Sequence, residues 1–123
     1  MKSGEPDETW PGMARTPEPP YYAVIFTSMR SAGDKGYDSA AARMEELAAQ
    51  QPGFLGIESA RSPGGLGITV SYWSDLASIS GWKANLEHRS AQETGRRVWY
   101  ADYRIRISHV QRAYGKASSA LGA

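Results

Sequence analysis

Trp73, Trp82, Asn85, His88 and Gln92, gathered within one short stretch, carry most of the chemistry this sequence offers. Asn85, His88 and Gln92 stand at i, i+3 and i+7, so on a continuous helix they share one stripe, with Trp82 a turn before Asn85 at its edge. Indole rings supply flat apolar walls and N–H donors. Amides orient oxygen substituents, and an imidazole that titrates near neutrality moves a proton or ligates iron. The set suits a flat ligand. The same spacing also fits a plainer arrangement in which Trp82 is core and the three polar residues face water. Tyr100 and Tyr103 are within reach of such a pocket, although aromatic residues in strands ordinarily serve packing. His109 shares a strand face with Ile107 and Gln111 and suits a dimer contact, while Arg104, Arg106 and Arg112 read as solvated or interface charges on a common face.

Other chemistries find little to work with. The histidines, His88 and His109, form no pair at metal-ligand spacing with a carboxylate, so no zinc or non-haem iron site is expected. Gly64, Gly65 and Gly67 sit where a hairpin turn explains them better than a phosphate does, flavin and nicotinamide fingerprints are missing, and neither histidine accompanies a nucleophile elbow. The chain has no cysteine, which removes disulfides, thiolate ligands and cysteine nucleophiles, and makes the cytoplasm the expected location. A formal charge of +1 gives no broad attraction to phosphate backbones or membrane surfaces, so neither nucleic acid nor membrane is an expected partner. No stretch approaches the roughly 18 apolar residues of a membrane span, and the N-terminus lacks a signal peptide's apolar core.

The elements that position these residues follow from periodicity. Residues 1–20 hold five of the seven prolines and no apolar repeat, and read as a disordered tail to which Trp10 adds at most a weak contact. A domain is expected over 21–115, with 116–123 frayed. Tyr21 to Met29 is a strand apolar on both faces. Tyr37, Ala40, Ala41, Met44, Leu47 and Ala48 recur at helical spacing, and the helix stops before Pro52 and Gly53. Phe54–Arg61 and Leu66–Trp73 bracket a Ser-Pro-Gly-Gly turn and should pair antiparallel. Ser74 and Asp75 start a second helical region, in which Gly81 is a candidate break and helical composition runs to about Arg97. Trp99 to Tyr114 reads as one long closing strand.

This order, βαββαβ, predicts a ferredoxin-like α+β domain, a four-stranded antiparallel sheet with both helices on one face. The other face should then be polar, yet Ile68, Val70 and Tyr72 point one way along the third strand while Thr69, Ser71 and Trp73 point the other. A second copy of the sheet would cover it, and a closing strand far longer than the usual five or six residues would reach across, so a homodimer is expected.

The run Ile68–Gln92, ITVSYWSDLASISGWKANLEHRSAQ, resembles the antibiotic biosynthesis monooxygenase (ABM) family: a strand, a Trp, a helix with a second Trp, a Glu-His pair, then small residues and Gln. QPGFLGIES, Gln51 to Ser59, resembles that family's passage from helix to strand, and the likeness extends over Tyr21 to Tyr114. The resemblance implies a dimeric α+β barrel with a ligand pocket between each sheet and its helices. It implies one of two activities, oxygenation of aromatic polyketides without a prosthetic group or oxidative haem breakdown by an Asn, a Trp and a His. In the haem-degrading branch the Trp corresponds to Trp82, the His to His88 at a shorter interval, and the Asn to Ser28. In the polyketide branch the Trp corresponds to Trp73, and the Asn four residues before it to Thr69. With the residues singled out above, the expected site has His88 and Trp82 as catalytic groups. Trp73, Asn85, Ser28, Thr69, Gln92 and Tyr103 would contact the substrate. The leading expectation is a cofactor-independent monooxygenase acting on a small aromatic molecule and dioxygen. Haem as cofactor is the alternative, and a non-catalytic ligand-binding dimer is the reading from another class.

Overall fold

The computed structural model describes residues 12–31, 37–92 and 100–116, with side chains described for all of these except 37–41, 87–92, 100 and 101. Its elements run β1 (Tyr21–Arg30), α1 (Tyr37–Ala49), β2 (Phe54–Arg61), β3 (Leu66–Trp73), α2 (Leu76–Gln92) and β4 (Tyr100–Val110). The strands form one antiparallel sheet in the order β2-β3-β1-β4, the ferredoxin-like arrangement expected from the element order. Because β1 and β2 both pair antiparallel to β3, they run parallel to each other and need a crossover, which α1 supplies; α2 does the same for β3 and β4, which flank β1. Both crossovers are right-handed by the usual rule, and this brings the two helices to the same side of the sheet. There α1 lies against β2 and α2 against β3.

Register sorts the side chains. Tyr22, Val24, Phe26 and Ser28 of β1 stand opposite Trp73, Ser71, Thr69 and Gly67 of β3, and opposite His109, Ile107, Ile105 and Tyr103 of β4. Trp73 stacks on Trp82 of α2, so this set is the helix-side face. On β2, Ile57, Ser59 and Arg61 join it by pairing with Ser71, Thr69 and Gly67.

The outer face carries Tyr21, Tyr72 and Glu58 at one end and Met29, Leu66 and Ile68 at the other. The expected tail divides there. Residues 1–11 lie outside the described residues, whereas the Ala14 backbone N–H donates to Glu58 Oε1 at 2.9 Å and Thr16 Oγ1 lies 2.8 Å from the Tyr21 hydroxyl. Gly56 makes the approach possible, since a Cβ there would stand 3.2 Å from that of Ala14. Tyr72 donates to Glu58 Oε2 at 2.6 Å, and burial, reinforced by that bond and the carboxylate's charge, raises its phenol well above the ordinary tyrosine range. At the far end Leu66, Ile68 and Met29 remain exposed.

Two expectations about element limits change. The closing strand, described from Tyr100, ends at Val110 and not at Tyr114; Trp99, its expected first residue, lies outside the described residues. Its limit comes from its neighbour: β4 pairs with β1, whose ladder begins at Tyr21↔Val110, just after Pro20, a residue without a backbone N–H to extend it. Gly81 does not divide α2, which runs unbroken from Leu76 to Gln92. A lone glycine costs a helix only about 1 kcal/mol relative to alanine, less than the stacking and capping around it supply. The expected continuation of helical structure to about Arg97 falls on residues 93–99, which lie outside the described residues.

Candidate functional site

The helix-side face has two ends of opposite character. At the Trp73 end, Trp73 is wholly buried, edge-on to Phe54 with ring centroids 5.5 Å apart and stacked on Trp82 at 6.2 Å. Its indole N–H donates to Ser71 Oγ at 2.9 Å, which satisfies the donor and the buried hydroxyl together. Local structure delivers Trp82 to this stack. Asp75 Oδ1 accepts the backbone N–H of Ser78 at 2.7 Å, an N-cap that opens α2. That bond, with a weaker one from Ser74, holds the Asp75 carboxyl below the usual carboxylate range. Gly53 lets the α1–β2 turn approach the first turn of α2. Its φ is +83°, and a Cβ there would fall 2.1 Å from Ser78 Oγ.

The Ser28 end is polar. Arg61, the last residue of β2, lays its guanidinium across Gly67 of β3 toward Ser28 of β1, with Nη2 donating to Ser28 Oγ at 2.7 Å. Nη1 donates to the carbonyl of Gly65 in the hairpin turn. Only glycine fits beneath it, because a Cβ at position 67 would lie 2.5 Å from Arg61 Cζ. Ser28 is 2% exposed, so this is a buried hydroxyl held by a cation. Tyr103 is the cross-strand partner of Ser28 and its ring lies 5.5 Å from that of Phe26, while Thr69 stands beside Phe26 on β3. Aromatic surface, hydroxyls and a guanidinium thus meet on one patch of sheet, and it is not closed over: Tyr103 is 48% and Ile105 55% exposed.

The expected site residues therefore separate. Trp73 and Trp82 come together, and so do Ser28, Thr69 and Tyr103, at opposite ends of a β3 segment whose six-residue length is about 20 Å. Asn85 is half-buried on α2, one turn past Trp82. His88 and Gln92 belong to α2, but their side chains lie outside the described residues. His109 lies tilted against Tyr22 with ring centroids 4.8 Å apart. Among the described residues no group of three or more His, Asp or Glu side chains gathers as a metal site would require, and no helix is long and apolar enough to cross a membrane. Arg61 is the residue that sequence reasoning passed over. The available signal was a lone glycine within a strand, which marks a close approach by another group.

The sequence profile of the family described as Antibiotic biosynthesis monooxygenase matches residues 20–94. The chain belongs to that family. It is also similar to the uncharacterized protein YqjZ of Bacillus subtilis (strain 168), 54% identical over 100 residues that span 81% of this chain and 88% of that one. Among solved structures it resembles SnoaB, a cofactor-independent oxygenase from Streptomyces nogalater, with a TM-score of 0.64 and 14% identity over 80% of this chain and all of the other. A putative antibiotic biosynthesis monooxygenase from Nitrosomonas europaea superposes with a TM-score of 0.60 at 12% identity, over 78% of this chain and 94% of its own. At such identities the ABM chain shares a fold with these proteins, and its chemistry must be argued from its own residues.

Proposed function

We propose that the protein is a cofactor-independent monooxygenase of a small, enolisable aromatic molecule, bound on the helix-side face and oxidised by dioxygen. The observation that carries this is the joining of the Phe26–Tyr103 ring pair to the hydroxyls of Ser28 and Thr69 and the Arg61 cation on one open patch. Cofactor-free oxygenation asks little more of a protein. A substrate methylene flanked by aromatic rings that conjugate it to a carbonyl, as in an anthrone, loses a proton, and the resulting carbanion transfers electrons to dioxygen and bonds to it. The peroxide then eliminates water to leave a new carbonyl. One oxygen atom enters the product, the other leaves as water with the two hydrogens of the methylene, and no outside reductant is required. The protein's part is to exclude water and to place donors against the anion. We assign proton removal to His88 on its spacing from Trp82 in α2. SnoaB being a cofactor-independent oxygenase supports the reading.

The active unit is proposed to be a homodimer, with the exposed Leu66, Ile68 and Met29 of the outer face covered by a second copy. Oxygen uptake with anthrone, measured on metal-depleted protein of molar mass fixed by light scattering, tests both statements. Uptake by a dimer, lost in His88→Ala with the melting temperature retained, is expected. A stable monomer at micromolar concentration rejects the assembly, and no uptake above the uncatalysed rate rejects the oxygenase.

A further inference from the structure

We propose that the segment 12–18 of one copy is the surface that meets the other, with Met13 entering the apolar patch of Leu66, Ile68 and Met29 on the second copy's outer face. This rests on the homodimer proposed above and adds which part of the second copy covers that patch.

The outer face is finished at one end and unfinished at the other. Along β3 its residues run Tyr72, Val70, Ile68 and Leu66, of which the first two are half-buried and the last two exposed. On β1, Tyr21 is 4% exposed, whereas Met29 is open. The segment before β1 closes the first end. Ala14 and Thr16 are half-buried while Met13 and Pro17 are exposed, the alternation of an extended chain lying on a surface. Its seat is built: Glu58 accepts the Ala14 N–H, the Tyr21 hydroxyl pairs with Thr16, and Gly56 leaves room for the Ala14 methyl. The segment therefore adds a layer of chain over Tyr21 and Glu58 and none over Ile68, Leu66 and Met29.

Two such faces can be related by a two-fold axis in two ways. With the axis along the strands, like ends meet, so the added layers collide and the open ends are held apart. With the axis across the strands the ends exchange. Each added layer then drops into the step above the other copy's open end, and two identical contacts form together. This second arrangement removes both the patch and the outward side of the segment from water. Met13 suits the contact, being 66% exposed, unbranched and adaptable in packing.

A charge exchange between Met13 and Ile68 tests the pairing, on the full chain, by sedimentation velocity and native mass spectrometry. Both residues are exposed within one copy, so neither change disturbs its core. Met13→Lys should weaken its own dimer at least about tenfold, because each of the two contacts then buries an ammonium against apolar side chains. Ile68→Glu should do the same with a carboxylate. An equimolar mixture, one variant isotope-labelled, should regain the strength of the parent dimer and consist mainly of the mixed species. There one contact joins lysine to glutamate and the other is the original Met13 on Ile68. A parent dimer whose strength survives both single changes, or weakened variants that the mixture does not rescue, overturns the proposal and leaves the homodimer standing. A parent protein that stays monomeric at micromolar concentration rejects the homodimer and this inference together.

Discussion

Breaking the bond between Trp73 and Ser71 should destabilise the fold while sparing ligand binding, because the tryptophan end of the helix-side face is core. Ser71→Ala removes the acceptor 2.9 Å from the indole nitrogen of a residue with no exposed surface. Water cannot replace it, so the stranded N–H should cost about 1–3 kcal/mol. Trp73→Phe strands the Ser71 hydroxyl instead and hollows the space between Phe54 and Trp82, for about 2–4 kcal/mol in all. In the double variant neither partner is left behind, so the two costs should fall short of adding by about 1–2 kcal/mol. Urea unfolding followed by far-ultraviolet circular dichroism measures all three, at one protein concentration so that any assembly is held constant. Affinity for anthrone should be unchanged in Ser71→Ala. A loss below about 0.5 kcal/mol for Ser71→Ala, or strict additivity in the cycle, refutes the reasoning. A large loss of ligand affinity would place the substrate at the tryptophans after all.

Gly53→Ala should cost about 2–4 kcal/mol, combining about 1–2 for a side chain at positive φ with the overlap against Ser78; Ser78→Gly in the same chain should recover the overlap but not the strain, as thermal unfolding will read. Alkaline titration followed by phenolate absorbance should leave Tyr72 protonated after the exposed tyrosines have ionised. Its pKa is raised in the folded state, so its contribution to stability is complete below the unfolded value of about 10 and fades as the pH rises toward the folded one. Tyr72→Phe should therefore flatten the alkaline arm of the stability profile, and an unchanged arm would mean that the hydrogen bond to Glu58 does not govern it.

What the sequence made legible was whatever local pattern controls. Alternation along Leu66–Trp73 named the two faces of β3 before any register was known, and Pro52 with Gly53 marked the end of α1. Limits set by partners were not legible. The end of β4 depends on where β1 begins, and nothing in Gln111 to Tyr114 announces that its neighbour has run out. The fate of the N-terminal segment depends on Glu58, which lies 44 residues along the chain from Ala14. The site shows the same division. The residue types on α2 suggested a pocket, but the Arg61 cluster draws on three strands and a turn, joined by pairings that no short-range pattern encodes.

This division bears on where chemistry happens. An oxygenation that runs through a carbanion requires donors not already spent within the fold, in a place a ligand can reach. Trp73 offers neither condition: its N–H is engaged by Ser71, its faces are covered by Phe54 and Trp82, and nothing of it is exposed. Its stack with Phe54 and Trp82 is better suited to fixing the angle of α2 on the sheet. At the other end, Ser28 is buried but its cation partner is only half-buried, and Tyr103 and Ile105 are open to solvent. A ligand arriving there would itself complete the exclusion of water. The charge on Arg61 would then act through a medium less polarisable than water, where a given hydrogen bond to a developing anion is worth more. On this argument the buried Trp73–Trp82 stack serves the scaffold, and the open patch beside Ser28 is where we propose that the substrate binds.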